Sequence, residues 1–173
     1  FPPIVGSALG TPPTVPPKIL VLGSMPGRVS LEHQQYYAFS HNAFWWIMAE
    51  LLQFDLSAHY HQRVQALIDS GVAVWDVLRD CERPGSLDSD IVRTSEQPND
   101  FVAFFKRYPS IELIAFNGGA AKTIFMRHCR DLFDDLPELE WVQLPSTSPA
   151  YASMRRDTKL EQWRTRLADK LPA

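Results

Sequence analysis

The run Ile19-Leu20-Val21-Leu22, ending directly in Gly23, is the feature that most restricts the fold. Alternate side chains of a strand point to opposite faces, so a run apolar at every position needs cover on both sides. Three more segments read as strands: Val72-Ala73-Val74-Trp75, the stretch Ile111-Glu112-Leu113-Ile114-Ala115-Phe116, and Trp141-Val142-Gln143-Leu144. Segments with apolar residues at helical spacing lie between them. Strands alternating with helices predict a three-layer α/β/α sandwich around a short, mainly parallel central sheet.

The helical segments have distinct faces. Phe44, Ile47, Met48, Leu51 and Leu52 recur with helical period, and Phe44 and Trp45 are expected in the core. A second helix is expected to start on Ser57 as its cap and to bury Val64, Leu67 and Ile68 before ending near Gly71. A third turns Phe101, Phe104 and Phe105 inward, and a fourth carries Ile124, Phe125, Cys129, Leu132 and Phe133. A terminal helix, capped by Asp157 or Thr158, places Leu160, Trp163 and Leu167 on one stripe. The stretch 81–99 is rich in turn residues and reads as irregular.

A chain of 173 residues fits one domain with a real core, and 45% hydrophobic residues argue against disorder. Residues 1–17 hold six prolines and read as an extended N-terminal arm, leaving 18–173 as a single domain. No apolar run approaches the roughly 20 residues that span a bilayer, and the arm lacks the pattern of a secretory signal. Two cysteines, Cys81 and Cys129, are too few for an iron–sulfur cluster or a disulfide scaffold. A reduced, cytoplasmic setting and a monomer are expected. The net charge of −3 means that any surface for a polyanion is local; the C-terminal stretch with Arg155, Arg156, Lys159, Arg164, Arg166 and Lys170 is the candidate place, its last three residues reading equally well as a solvated helix face.

In an open parallel sheet, ligands bind outside the carboxyl ends of the strands. Four segments fall there: the turn Gly23-Ser24-Met25-Pro26-Gly27, Trp75-Asp76, Asn117-Gly118-Gly119, and residues 145–151. The first turn combines two glycines, which permit close ligand approach, with a stiffening proline. It is not a phosphate-binding Walker loop, a nucleophile elbow or a dinucleotide fingerprint. Next comes the aromatic-rich loop Tyr36-Tyr37-Ala38-Phe39-Ser40-His41-Asn42, which enters the Phe44 helix. Asn42 suits a helix cap, and a tyrosine of this loop suits stacking. The loop Pro145-Ser146-Thr147-Ser148-Pro149-Ala150-Tyr151 is stiff, with small hydroxyl residues and backbone donors suited to phosphate. His59 and His61 have no matching ligand set, and Asp76, Asp88 and Asp90 do not cluster, so no metal site is expected.

Taken in order, these loops resemble those of the uracil-DNA glycosylase superfamily, over residues 18–151. Gly-Ser-Met-Pro-Gly, Tyr-Tyr-Ala followed by Asn-x-Phe-Trp, and Leu-Pro-Ser-Thr-Ser-Pro-Ala are similar to the branch acting on hypoxanthine (deoxyinosine) in DNA. The mismatch-specific uracil branch shares the Asn42-Ala43-Phe44-Trp45 portion. The sequence departs from other branches in the first motif: Met25 stands where one has a catalytic asparagine, and Ser24 where another has an acid. The resemblance passes the water-orienting role to Asn42.

It further implies that Gly23, Ser24, Met25, Tyr37, Trp75, Asp76, Ser86 and Asp88 surround a base flipped from DNA, with Tyr37 stacked against it. Ser146, Thr147, Ser148, Tyr151, Arg155 and Arg156 would contact the DNA. Ser148 replaces a leucine wedge found in mismatch enzymes, leaving Tyr151 or Arg155 as candidate wedges. Hydrolysis of the bond between sugar and deaminated base, without metal, organic cofactor or lyase step, is the implied reaction. A mismatch-uracil glycosylase and a non-catalytic module that binds modified DNA are the alternatives.

Overall fold

The computed structural model describes residues 1–6 and 15–172. Strands β1 (Ile19–Gly23), β2 (Val72–Asp76), β5 (Leu113–Asn117) and β6 (Glu140–Leu144) form a four-stranded, all-parallel sheet in the order β2-β1-β5-β6. A short antiparallel pair, β3 (Leu78–Asp80) and β4 (Gln97–Pro98), forms a second sheet, with β3 just before and β4 inside the stretch expected to be irregular.

Strand alternation divides the core in two. On one face Ile19, Val21, Val72, Val74, Leu113 and Ala115 pack under α2 (Phe44–Leu52), α3 (Tyr60–Asp69) and α7 (Arg156–Leu167). On the other, Leu20, Leu22, Ala73, Ile114 and Phe116 meet α4 (Phe101–Arg107), α5 (Gly119–Cys129) and α6 (Leu132–Asp135). The three-layer sandwich follows directly from strands that are apolar on both sides. No helix among the described residues is long and apolar enough to cross a membrane.

Local differences from the sequence expectation have local causes. The second helix is capped by His59 and Gln62, whose side chains bond reciprocally with the backbone, while Ser57 bonds to Asp55 one turn earlier. The terminal helix starts at Arg156 after Arg155, so Asp157 lies in its first turn rather than before it. The expected single helix over 124–133 is two, α5 and α6, broken at Arg130 and Asp131. A short helix, α1 (Arg28–His33), follows the first glycine turn and had no sequence expectation.

The described part of the N-terminal arm lies on the sheet edge. Ile4 pairs antiparallel with Val74 through hydrogen bonds of 2.8 and 3.0 Å and is buried. Phe1 packs edge-on against Tyr36, whose hydroxyl donates to the Pro2 carbonyl at 2.7 Å. The prolines Pro12 and Pro13 of the arm lie outside the described residues.

Candidate active site

The parallel strands end together, and their ends bring three loops into one hydrogen-bonded group. Asn117, the last residue of β5, donates through Nδ2 to the Tyr37 hydroxyl at 3.1 Å and to Thr147 Oγ1 at 2.9 Å. Its Oδ1 accepts the Thr147 amide at 2.9 Å. The sequence placed Asn117 in one of the four strand-end segments where ligands bind, but gave its side chain no role. Its position at a strand's carboxyl end was the available signal, but nothing local tells that its amide joins residues 80 and 30 positions away.

Gly23 forms the floor beneath this group. A Cβ there would lie 2.7 Å from Asp76 Oδ1 and 3.2 Å from the Tyr37 hydroxyl, so glycine is required by close approach. Asp76 ends β2 beside Gly23 in the parallel register. It is 4% exposed, and its Oδ2 has no hydrogen-bond partner among the described residues. Burial, with the nearby Asp88 charge adding to it, pushes the carboxyl up to about 7 from an ordinary value near 3.8, against the opposing pull of Arg83. Tyr37, in the left-handed backbone region at φ 53°, stacks one ring face on Phe44 with centroids 4.1 Å apart. Burial raises its phenol far above the usual range, so it is a neutral hydroxyl.

Asn42 stands at the entrance to α2. Its Oδ1 accepts the Phe44 amide at 3.0 Å, which is a capping bond, and the next residue, Ala43, donates its amide to the Thr147 carbonyl at 3.0 Å. An amide oxygen has two lone pairs, so this one keeps capacity for a second donor such as water.

The first turn is latched from the other side by the 81–90 stretch. Ser24 Oγ donates to Asp88, Arg83 donates to the Pro26 carbonyl at 2.5 Å, and the Arg28 amide donates to Ser86 Oγ at 3.3 Å. Asp88 and Ser86 therefore shape the turn from outside. Met25 packs with the second core cluster, so its side chain is turned inward and the turn presents only its backbone.

Two expected site residues are placed elsewhere. Trp75 precedes Asp76 on the same strand and so faces the opposite side of the sheet, where it packs on Phe101 and Phe104 with centroids 5.2 and 4.8 Å apart. Thr147, expected to touch DNA, is 1% exposed because Asn117 binds both its hydroxyl and its amide. The outer part of its loop keeps the expected exposure. Tyr151 is exposed, with Lys159 Nζ 5.2 Å from its ring centre. Ser148 is half-buried; its carbonyl accepts Lys159 Nζ at 3.2 Å, and the Ser146 hydroxyl accepts the Ser148 amide at 3.2 Å. Arg155 is exposed and pairs loosely with Asp157, and the Arg156 guanidinium lies 4.0 Å over the Trp46 ring.

Comparison with known proteins identifies the family of the chain. Residues 10–171 match the model of the uracil DNA glycosylase superfamily. A hypoxanthine DNA glycosylase from Methanosarcina barkeri is 36% identical over 112 residues, spanning 63% of this chain and 70% of that protein. Another from Methanosarcina acetivorans is 35% identical over 105 residues, spanning 60% of this chain and 65% of that protein. The solution NMR structure of a candidate uracil DNA glycosylase from Methanosarcina acetivorans superposes with a TM-score of 0.77 at 27% identity, covering 98% of this chain and 96% of that one.

Proposed function

The chain belongs to the uracil DNA glycosylase superfamily and is a DNA glycosylase, and from that premise we propose that it removes hypoxanthine from DNA. The observation that carries the reading is Asp76, a buried carboxyl raised to about 7 whose Oδ2 has no partner, above the floor at Gly23. Its neutral form is an O–H donor. Deamination of adenine replaces the amino group at C6, a donor, with a carbonyl acceptor. A donor held at that position binds hypoxanthine and opposes adenine.

The same contact serves the chemistry. Cleavage of the glycosidic bond leaves positive charge on the sugar and negative charge on the departing base. A fixed donor from neutral Asp76, with the backbone amides around Ser24 and Met25, lowers the cost of the base's charge. Tyr37, backed on Phe44, offers its other ring face to the base. The Tyr37 hydroxyl and Asp76 occupy the space over Gly23 in this structure, so an entering base takes over the position of that hydroxyl. Extraction of a base from the stack costs a few kcal/mol, supplied by contacts of the loop containing Ser146, Ser148 and Tyr151. Asn42 is the water-orienting residue: its second lone pair holds a water against the sugar carbon, while its first remains on the Phe44 amide.

Oligonucleotides containing inosine, uracil, xanthine or ethenocytosine, scored for abasic sites without added metal, test the substrate. Release of hypoxanthine is expected; release of uracil alone replaces the reading with a mismatch-uracil glycosylase. Asn42→Ala is expected to lose roughly a hundredfold or more in single-turnover rate. Asn42→Ser, which can still cap the helix, should recover stability without recovering rate. Equal recovery of both would leave Asn42 only its capping role.

A further inference from the structure

Cations on this acidic chain are unevenly committed. Several of those in and after α7, where the sequence placed the polyanion surface, have partners: Arg155 with Asp157, Arg164 with Glu161, and Lys170 with Glu112. Lys159 is buried under the Ser148 carbonyl. Arg93, Lys122 and Arg130, like Arg156 and Arg166 of α7, form no ion pair among the described residues, but these three stand together. All three line one open groove of about 540 Å³ on the outer side of α5, with Met126 and Arg127.

The groove is organised from beneath. Glu96, with a side chain only 3% exposed, accepts Arg127 through both oxygens at 2.6 and 2.8 Å and His128 at 2.7 Å. This network fixes α5 against the turn at Arg93–Ser95, and so sets the separation of the groove's two walls. The acid neutralises Arg127, leaving the three unpaired cations as the groove's net charge.

Its direction and its neighbour identify the occupant. α5 begins at Gly119 just after Gly118, which lies against Ser146, and Lys122 lies one turn along it. From Lys122 to Arg130 the rise is about 12 Å, enough to follow more than one phosphate of a strand. Lys122 Nζ lies 4.7 Å from the ring centre of Trp141, which is 42% exposed on the sheet's outer strand β6. A cationic groove flanked by an exposed aromatic ring is the chemistry that holds unpaired strands, through phosphate pairing and base stacking.

We propose that this groove binds single-stranded DNA continuing from the strand in the active site, with Arg93, Lys122 and Arg130 on phosphates and Trp141 under a base. The proposal rests on the DNA glycosylase reading but not on which base is removed.

The test measures binding of a lesion-free single-stranded oligonucleotide as a function of salt. The triple variant R93A/K122A/R130A should flatten the slope of log K against log salt by about 2, at roughly 0.7 per phosphate contact on a single strand. A control lacking three paired cations, R79A/R164A/K170A, should keep the wild-type slope. Trp141→Ala should weaken binding about tenfold with the slope unchanged. Melting curves confirm that each variant is folded. An unchanged slope in the folded triple variant, or equal flattening in the control, overturns the groove as a binding site. A flattened slope for duplex only assigns it to double-stranded DNA and overturns the single-strand proposal. Wild-type protein that binds no DNA and releases no base would instead defeat the glycosylase reading.

Discussion

Asp76 separates two demands on one residue, solubility of charge and chemistry of the base. With an ordinary value near 3.8 raised to about 7, the folded protein binds a proton that the unfolded chain has released between those values. The protein is thus relatively more stable below about pH 4 and loses that advantage as pH rises through about 7, by up to ~4 kcal/mol. Catalysis by the proposed neutral donor would have the same sign: kcat/KM should be level below about pH 7 and fall about tenfold per unit above it. Asp76→Asn keeps a donor that does not titrate. It should retain activity at low pH, abolish the alkaline decline, and flatten the dependence of melting temperature on pH between 4 and 7. A variant that keeps the wild-type alkaline limb would show that another group carries the proton. The importance of Asp76 was only half legible in the sequence. Its place after an apolar strand was visible, whereas its raised affinity for a proton depends on Gly23 and Tyr37 packing over it.

At the scale of elements, strands were legible and the joins between them were not. Ile19, Leu20, Val21 and Leu22 are wholly buried because both faces of β1 are covered, a property written in consecutive apolar residues. The two- and three-residue strands β4 and β3 have no period to detect, and Pro98 argues against a strand. Trp75 was misplaced because an apolar run hides which face each residue takes. The terminal helix shows the same limit: its apolar stripe was visible, but its hold on the site was not. Trp163 is buried and donates through Nε1 to the Pro145 carbonyl at 2.9 Å, while Lys159 holds the Ser148 carbonyl from the same helix. α7 therefore clamps the start and the middle of the loop proposed to press into DNA. Trp163→Phe should cost roughly 1–3 kcal/mol for the abandoned carbonyl alone. The loosened loop should weaken DNA binding more than it slows turnover at saturating DNA. Equal binding with slower single-turnover release would place the effect on the reacting groups instead.

The whole molecule is a narrow parallel sheet whose outer strand β2 would expose a free edge without residues 1–6. Ile4 closes that edge with two backbone bonds to Val74 while its side chain enters the core shared by α2, α3 and α7. The same segment holds two aromatic residues, one from each core cluster: Tyr36 donates to the Pro2 carbonyl, and Trp75 to the Phe1 carbonyl at 3.1 Å. The proline content of the arm was readable from composition, but the bridge at Ile4 was not, because one paired residue leaves no pattern. Ile4→Ala keeps the backbone pairing and removes only the buried side chain, so its effect reports how firmly the arm belongs to the domain. A loss of about 2 kcal/mol is expected for a buried isoleucine. At roughly 2–4 °C per kcal/mol in a chain of this size, the melting temperature should fall by about 4–8 °C. A shift below about 1 °C would mean that the arm lies on the edge without contributing to the core. A full shift with glycosylase rate retained would assign the arm to stability, and the positions of Tyr37 and Asp76 to the loops and strand ends that hold them.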